Sequence, residues 1–506
     1  MLKPRHSLTL FAVLLVMVGI ESLSASAQQK PRVAAAQTTA ASPLKPCKLQ
    51  GIEEELLCGK LSVFENRQSQ TGRKIDLNVV VMPALDSGQH DAPLFDLQGG
   101  PGIAATPQAK WYTTDLKEYR RHREVVLVDQ RGTGASNPLY CGDDESSGYL
   151  REMYPVKYVQ DCRRKLEQVA DLTQYTTPIA MDDLDDVRRW LGYDKINLIG
   201  LSYGTRAALV YMRQHPEPVR SAVLIGVAPT NAKLPLYHSR NAQRAMNLLL
   251  DECANDVACN KAYPHVRQEW VAVLDQLGRQ PARLKYTFPK TRKEVEVEIH
   301  RDRFAEVLRS QLYTPPGARR LPFIIHHAAQ GNFIPFLRLA ISDGSSSDAL
   351  PAIADGMYLS VTCAEDVPLI DPQEAERINK GTFFGNYRVV QQRRACQYWP
   401  QARLPKGYDE PIVSNAPVLI FSGRMDPVTP AEWATEVAAH LPNSLHIVIR
   451  HHAHVPDGLT HIECLDKVTL EFLRRDSVKG LDTACLDQML PPPFLIEERQ
   501  AAKSQK

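Results

Sequence analysis

Residues 200–204 read Gly200-Leu201-Ser202-Tyr203-Gly204, a G-x-S-x-G set directly after the apolar run INLIG and directly before the helix-forming stretch TRAALVYM. In a strand-to-helix turn this motif holds the serine in a strained backbone conformation and displays its Oγ above the sheet, with small neighbours that let the chain bend sharply. The following helix points its amino end at the serine, where free backbone NH groups favour developing negative charge. Ser202 is therefore a candidate nucleophile; in an ordinary glycine-rich loop it would be a polar turn residue and no more.

A serine hydroxyl is a weak nucleophile and needs a base oriented by an acid. In sites of this kind the partners follow in the chain order Ser, Asp, His. Asp426 lies in SGRMDPVTP just past the run PVLIFS, and His454 lies in RHHAHVP just past HIVIR. His451, His452 and His461 crowd the second segment, so the choice between His452 and His454 stays open. So does a metal reading, in which His452 and His454 clamp zinc from an extended loop and recruit further ligands. An oxyanion formed at the serine needs two NH donors. Tyr203, the residue after the nucleophile, is one. The other belongs in the turn after an early strand, where Gln98-Gly99-Gly100-Pro101-Gly102 lets backbone approach the substrate, and Gly100 is the expected donor. This chemistry calls for no metal and no cofactor.

These residues need a scaffold that brings late loops to an early turn. Apolar runs with β-branched residues recur at 75–82, 93–98, 124–130, 196–200, 221–227, 417–423 and 446–450 and read as strands. The last five are mostly uninterrupted apolar runs, the pattern of strands buried on both faces of a parallel sheet. Helical spacing separates them, as in 182–191, where Leu184, Val187 and Leu191 share a face and Asp182 is placed to cap the start. The fold class is α/β, an open sheet with flanking helices. Such sheets place their sites at the carboxyl ends of the strands, where Ser202, Asp426 and His454 all fall.

From 230 to 405 strand signals become rare and segments such as SRNAQRAMNLLLDECA carry apolar faces of helical period. Strands resume with PVLIFSG, so this stretch is a mostly helical insertion expected to cover one end of the sheet as a lid. The expected organisation is a signal peptide over 1–27, a flexible lead-in over 28–46, the first part of the core over 47–229, the lid over 230–405, the remaining core over 406–494 and a flexible tail over 495–506.

The chain has 506 residues, 43% hydrophobic and 23% charged, an ordinary globular composition. A formal net charge of +2, with both signs interspersed, offers no face for nucleic acid. Lys3, Arg5 and His6 precede an apolar run from Leu8 to Ile20 and then Ala25-Ser26-Ala27, the layout of a signal peptide cut after Ala27. The run is short of the roughly 20 residues needed to span a bilayer. Export to the periplasm or medium follows, with no membrane attachment after cleavage. The 10 cysteines, an even number in an exported chain, suggest disulfides. They fall as neighbouring couples, so sequential pairing is the simplest arrangement, though sequence does not fix connectivity.

The combination QGGPG (98–102), DQRGTGAS (129–136), GLSYGT (200–205) and SGRMDPVTP (422–430), with a closing HAHVP and LDTACLDQMLPPPF, resembles the family of prolyl iminopeptidases and secreted tripeptidyl aminopeptidases. The resemblance covers about Cys47 to Phe494. It implies an α/β-hydrolase fold, with Ser202 as nucleophile, Asp426 as orienting acid, His454 as base, and Gly100 and Tyr203 as oxyanion donors. It also implies a serine aminopeptidase acting on peptides. Gln98, where the iminopeptidases carry histidine, tilts the resemblance toward the tripeptidyl branch. His452 and Ala453 stand where the family usually has glycines. Arg131 and Asp129 are read as loop-tying residues.

An aminopeptidase must hold a free ammonium, and in a covered pocket a carboxylate is the natural partner. Glu365 and Asp366, in TCAED within the lid, are the candidates, against the plainer reading of a solvated acidic pair beside Cys363. Two rival functions remain: an esterase or small-acyl hydrolase with the same triad, and an inactive exported protein that binds peptide or metal. Oligomeric state leaves no trace in the sequence.

Overall fold

Successive side chains of a strand face opposite sides, and in KIDLNVVVM, residues 74–82, both sides are covered. Val79 and Val81 pack with Phe95, Val126 and Leu198 on one face. Val80 and Met82 pack with Leu94, Leu127 and Phe421 on the other. Each such side chain contributes about 1.5–3 kcal/mol when fully buried, which is why these runs read as continuous apolar stretches. The helices Thr177–Leu191 and Tyr203–Gln214 cover the first face, and the helix Glu463–Arg475 covers the second.

The computed structural model describes residues 43–86, 88, 91–142, 150, 152–341 and 353–497. The expected signal peptide, most of the lead-in and most of the tail lie outside them.

Eleven strands are present among the described residues: β1 (Lys45–Cys47), β2 (Leu56–Phe64), β3 (Lys74–Met82), β4 (Leu94–Leu97), β5 (Val125–Val128), β6 (Ile196–Leu201), β7 (Val219–Ile225), β8 (Ala282–Thr287), β9 (Glu294–Ile299), β10 (Val418–Gly423) and β11 (Ser444–Ile449). Nine form one sheet in the order β1-β2-β3-β5-β4-β6-β7-β10-β11. The β1, β2, β3 and β5 neighbours pair antiparallel, and from β5 onward every pairing is parallel. The register sets Leu97 beside Gly200, Leu201 beside Ile225, and Gly423 beside Ile449. The turns after β4, β6, β7, β10 and β11 therefore leave from one edge. Those turns carry Gly99 and Gly100, Ser202, Gly226, Asp426 and His454.

All seven expected strand segments are strands, and the α/β class holds. The helix expected over 182–191 runs from Thr177 to Leu191, with Thr176 as N-cap and Pro178 in its first turn; Asp182 sits inside it and accepts from Gln214 Nε2 (2.8 Å) and from His215 Nε2 (2.9 Å). The segment between β7 and β10 is mostly helical and holds one antiparallel hairpin, β8 with β9. Strand β2 was hidden by its mixed composition, LLCGKLSVF.

The insertion meets the carboxyl edge at several points. Arg244, on the helix His238–Asn255, donates to the carbonyls of Arg424 and Asp426, each at 2.6 Å. Asn241 donates to Val428 O (3.0 Å), and Ala354 N donates to Gly102 O (3.0 Å).

Five disulfides join sequential cysteines: Cys47–Cys58, Cys141–Cys162, Cys253–Cys259, Cys363–Cys396 and Cys464–Cys485. No helix among the described residues is long and apolar enough to cross a membrane. Bridge separations differ, from 6 residues at Cys253–Cys259 to 33 at Cys363–Cys396. Chain-entropy reasoning makes the longer constraint worth close to 4 kcal/mol and the shorter about 2 kcal/mol. Replacing both cysteines of each pair by alanine is expected to lower the urea-unfolding free energy in that order.

Candidate active site

Strand β6 ends at Leu201, and Ser202 then adopts φ 58° and ψ −123° before the helix Tyr203–Gln214 begins. For a residue with a Cβ this is a strained conformation costing about 1–3 kcal/mol, kept only where the surroundings enforce it. Ser202 N–H donates to Ile225 O (2.9 Å), and Thr205 Oγ1 donates to Ser202 O (2.6 Å). The motif glycines are there for space. A Cβ on Gly200 would stand 2.5 Å from Gly204 O, and one on Gly204 would stand 1.9 Å from Leu97 O. The turn thus folds against itself and against the end of β4, and only hydrogen fits at both crossings. Ser202 remains partly exposed.

Asp426 follows β10 and is fully buried. Its Oδ1 accepts from Val428 N (2.7 Å) and Thr429 N (2.9 Å), and its Oδ2 accepts from Thr429 Oγ1 (2.6 Å) and His454 Nδ1 (2.8 Å). Burial alone would push this carboxyl up, yet attraction to the His454 imidazole and the four donors hold it below the ordinary carboxylate value. An ionised Asp426 fixes Nδ1 as the donor and leaves the lone pair on Nε2 of His454. The His454 ring stands edge-on to Tyr313 at 5.0 Å, and the backbone N–H of His454 donates to Tyr313 O (3.0 Å).

The two histidines of this loop differ in their contacts. His452 turns Nδ1 to Ala453 O (2.6 Å), and burial pushes its imidazole down to about 4. It is His454 that meets Asp426. Among the described residues, no group of three His, Cys, Asp or Glu side chains is arranged to hold a metal ion. Thr429 is the residue that sequence reasoning overlooked. It sits in the same SGRMDPVTP segment, and its hydroxyl lies 3.2 Å from His454 Nδ1 while donating to Asp426.

Ser202 and His454 flank one corner of the chain. The Ser202 amide is bonded to Ile225, and a Cβ on the next residue, Gly226, would lie 3.5 Å from His454 Cε1 and Nδ1. On the other side, a Cβ on Gly99 would lie 3.2 Å from Ser202 Cβ and 3.7 Å from its Oγ. Gly100 follows with φ 110°, a value that glycine alone adopts readily. Tyr203 is the first residue of its helix, so its N–H has no partner in the helical ladder. Gln98 Nε2 donates to Asp96 Oδ1 (2.6 Å) and Tyr112 OH donates to Asp96 Oδ2 (2.9 Å), which ties this turn to the strand before it. Arg131 donates to both oxygens of Asp183 (2.6 and 2.8 Å), and Asp129 accepts from Thr106, Ala135 and Asn78, so both bind loops together.

Glu365 and Asp366, the residues expected to anchor an ammonium, lie in the interior. Both are fully buried and every carboxylate oxygen is already engaged. Glu365 accepts from Thr177 N (2.6 Å), Thr177 Oγ1 (2.8 Å) and Tyr408 OH, while Asp366 accepts from Arg206 Nη1 (2.8 Å), Arg206 Nη2 (2.9 Å) and Leu234 N (2.9 Å). Thr177 Oγ1 also lies 2.8 Å from Tyr203 OH. A substrate ammonium would have to displace Arg206. The pair instead clamps the insertion helix Asp355–Glu365 onto the helix that begins at Tyr203.

Two outcomes follow from these groups. Arg206→Met strands two buried carboxylates and is expected to lower stability by about 3–5 kcal/mol, whereas Tyr408→Phe removes one hydrogen bond and costs about 1–2 kcal/mol; urea unfolding separates them. Burial pushes Asp96 up to about 6, against an ordinary 3.8 and despite its two donors. The folded chain thus holds this proton more tightly than the unfolded one. The resulting stability is complete below about pH 4 and is lost as the pH rises through about 6. Relative to Asp96→Asn, the native chain is expected to lose urea-midpoint stability between pH 4 and 7.

A profile of the α/β-hydrolase fold matches residues 97–456. The chain is similar to "Serine protease Hip1" of Mycobacterium tuberculosis, 24% identical over 436 residues covering 77% of this chain and 80% of that one. It is similar to "Tripeptidyl aminopeptidase" of Streptomyces lividans, 22% identical over 474 residues covering 87% and 86%. Over 144 residues it is 30% identical to "Proline iminopeptidase" of Neisseria gonorrhoeae, covering 28% and 35%. With the profile spanning every turn at the carboxyl edge, from Leu97 to beyond His454, the chain belongs to the α/β-hydrolase fold family.

Proposed function

We propose that this serine hydrolase is an exported aminopeptidase, tripeptidyl or prolyl aminopeptidase-like, that cleaves peptide bonds near a free N-terminus through Ser202, His454 and Asp426. The observation that carries the reading is the buried 2.8 Å bond between His454 Nδ1 and Asp426, beside the strained Ser202 turn. The peptidase names of the relatives support the substrate class. Five disulfides support an oxidising compartment. In this reading residues 230–405 serve as the lid.

The reaction begins when Nε2 of His454 accepts the Ser202 proton as Oγ attacks the scissile carbonyl carbon. The carbonyl oxygen becomes an oxyanion and receives the N–H groups of Tyr203 and Gly100. The C–N bond then breaks as His454 returns the proton to the leaving amine, leaving an ester on Ser202. Water, deprotonated by the same imidazole, attacks that ester and frees the acid. Asp426 stabilises the imidazolium and holds the tautomer throughout; Thr429, donating to the same carboxylate oxygen, keeps it aligned. No cofactor enters.

A fluorophosphonate probe is expected to label the native chain and not Ser202→Ala. Asp426→Asn is expected to lower kcat by about 10⁴-fold by favouring the wrong tautomer. A panel of N-terminally free and blocked peptides, with short-chain esters beside them, tests the substrate: cleavage confined to esters overturns the peptidase reading.

A further inference from the structure

The insertion builds a continuous wall from the oxyanion turn to the base. Ala354 N–H reaches Gly102 O, and further along the same helix Tyr358 stacks on Tyr154 with ring centroids 6.1 Å apart. Arg388 Nη1 lies 3.3 Å from Glu306 Oε1, and Arg309 Nη2 donates to the same oxygen at 2.9 Å. Arg309 Nη1 then donates to Tyr313 OH (3.1 Å), and the backbone carbonyl of Tyr313 accepts from the backbone N–H of His454. Two guanidiniums share the Glu306 carboxylate, while Asp355, on the helix of Tyr358, accepts from Tyr158 OH (2.7 Å). The second terminal nitrogen of Arg388 faces the thioether of Met153 at 3.3 Å, a weak acceptor.

His238 stands between this wall and the acid loop. Its neighbour Ser239 donates to Gly385 O, shortly before Arg388, and Asn241 donates to Val428 O, shortly after Asp426. His238 is 5% exposed, and neither ring nitrogen has a partner among the described residues. Burial, together with the charges of Arg388, Arg309 and His454, holds it well below the ordinary imidazole value, so the ring is neutral and offers one N–H donor. A buried polar group left without a partner is costly. Beside a guanidinium that shares its carboxylate with a second one, the group that completes the histidine is an anion able to accept from both.

We propose that His238 and Arg388, backed by Arg309, form a subsite for a carboxylate of the substrate, either the free C-terminus of a short peptide or an Asp or Glu side chain. The subsite deepens the peptidase reading and rests on Ser202 as the nucleophile. Recognition combines the neutral N–H of His238 with the charge of Arg388.

The test compares kcat/KM of the full chain on paired substrates: one short peptide as free acid and as C-terminal amide, and an amidated peptide carrying Glu or Gln. The native chain is expected to favour the carboxylate by at least about tenfold in one pair, and the favoured pair identifies the source. Arg388→Met and His238→Leu are expected to reduce that preference to within about twofold. His238→Leu is also expected to raise the thermal midpoint, because it removes an unpartnered polar group; a purely structural histidine would lower it. Equal rates within both native pairs overturn the subsite without any variant. If only esters are cleaved, the peptidase reading fails by itself, and p-nitrophenyl esters with a free or methylated carboxylate then decide the subsite.

Discussion

The closeness of two backbones governs the site. Gly204 approaches the Leu97 carbonyl so nearly that a side chain at 204 would stand 1.9 Å from it. This contact sets the start of the helix after Ser202 against the end of β4. It leaves Ser202 no relaxed conformation and brings the glycine turn after β4 against the serine. Parallel pairing does the rest. Once β4, β6, β7, β10 and β11 are in register, the turns that carry Gly100, Ser202, Asp426 and His454 share one edge. The strain at one residue is supported by a sheet whose strands are buried on both faces.

Much of this was legible because the strands are apolar throughout and the motif glycines sit at fixed offsets from Ser202. Asp426 was legible as a candidate as well, since it follows a strand directly. Three features escaped for physical reasons. The hairpin of β8 and β9 alternates charged and apolar residues, as in EVEVEI, but lies among helices whose longer periodicity dominates. Thr429 is an ordinary residue in sequence, and its value comes from a hydroxyl that happens to reach Asp426. Glu365 and Asp366 read as a ligand-binding pair because two adjacent acids in a lid invite that reading. Their partners Arg206, Thr177 and Tyr408 come from distant segments, and no local pattern announces them.

The insertion belongs to the site as much as the sheet does. Its segments hold the loop of Asp426 through Arg244 and Asn241, the loop of His454 through Tyr313, and the turn of Gly100 through Ala354. The buried ion pair of Arg206 with Asp366 ties it to the helix behind Ser202. Such pairs add little net stability over apolar packing, but breaking one is expensive. They fix one arrangement of the insertion over the edge and penalise others.

The bridges have a consequence for how the chain is made. Every one joins a cysteine to the next in sequence, and the widest separation is 33 residues. A chain emerging amino end first into an oxidising space can therefore seal each loop before the following couple appears. No thiol has to wait for a distant partner, and the opportunities for scrambled connectivity shrink with every residue released.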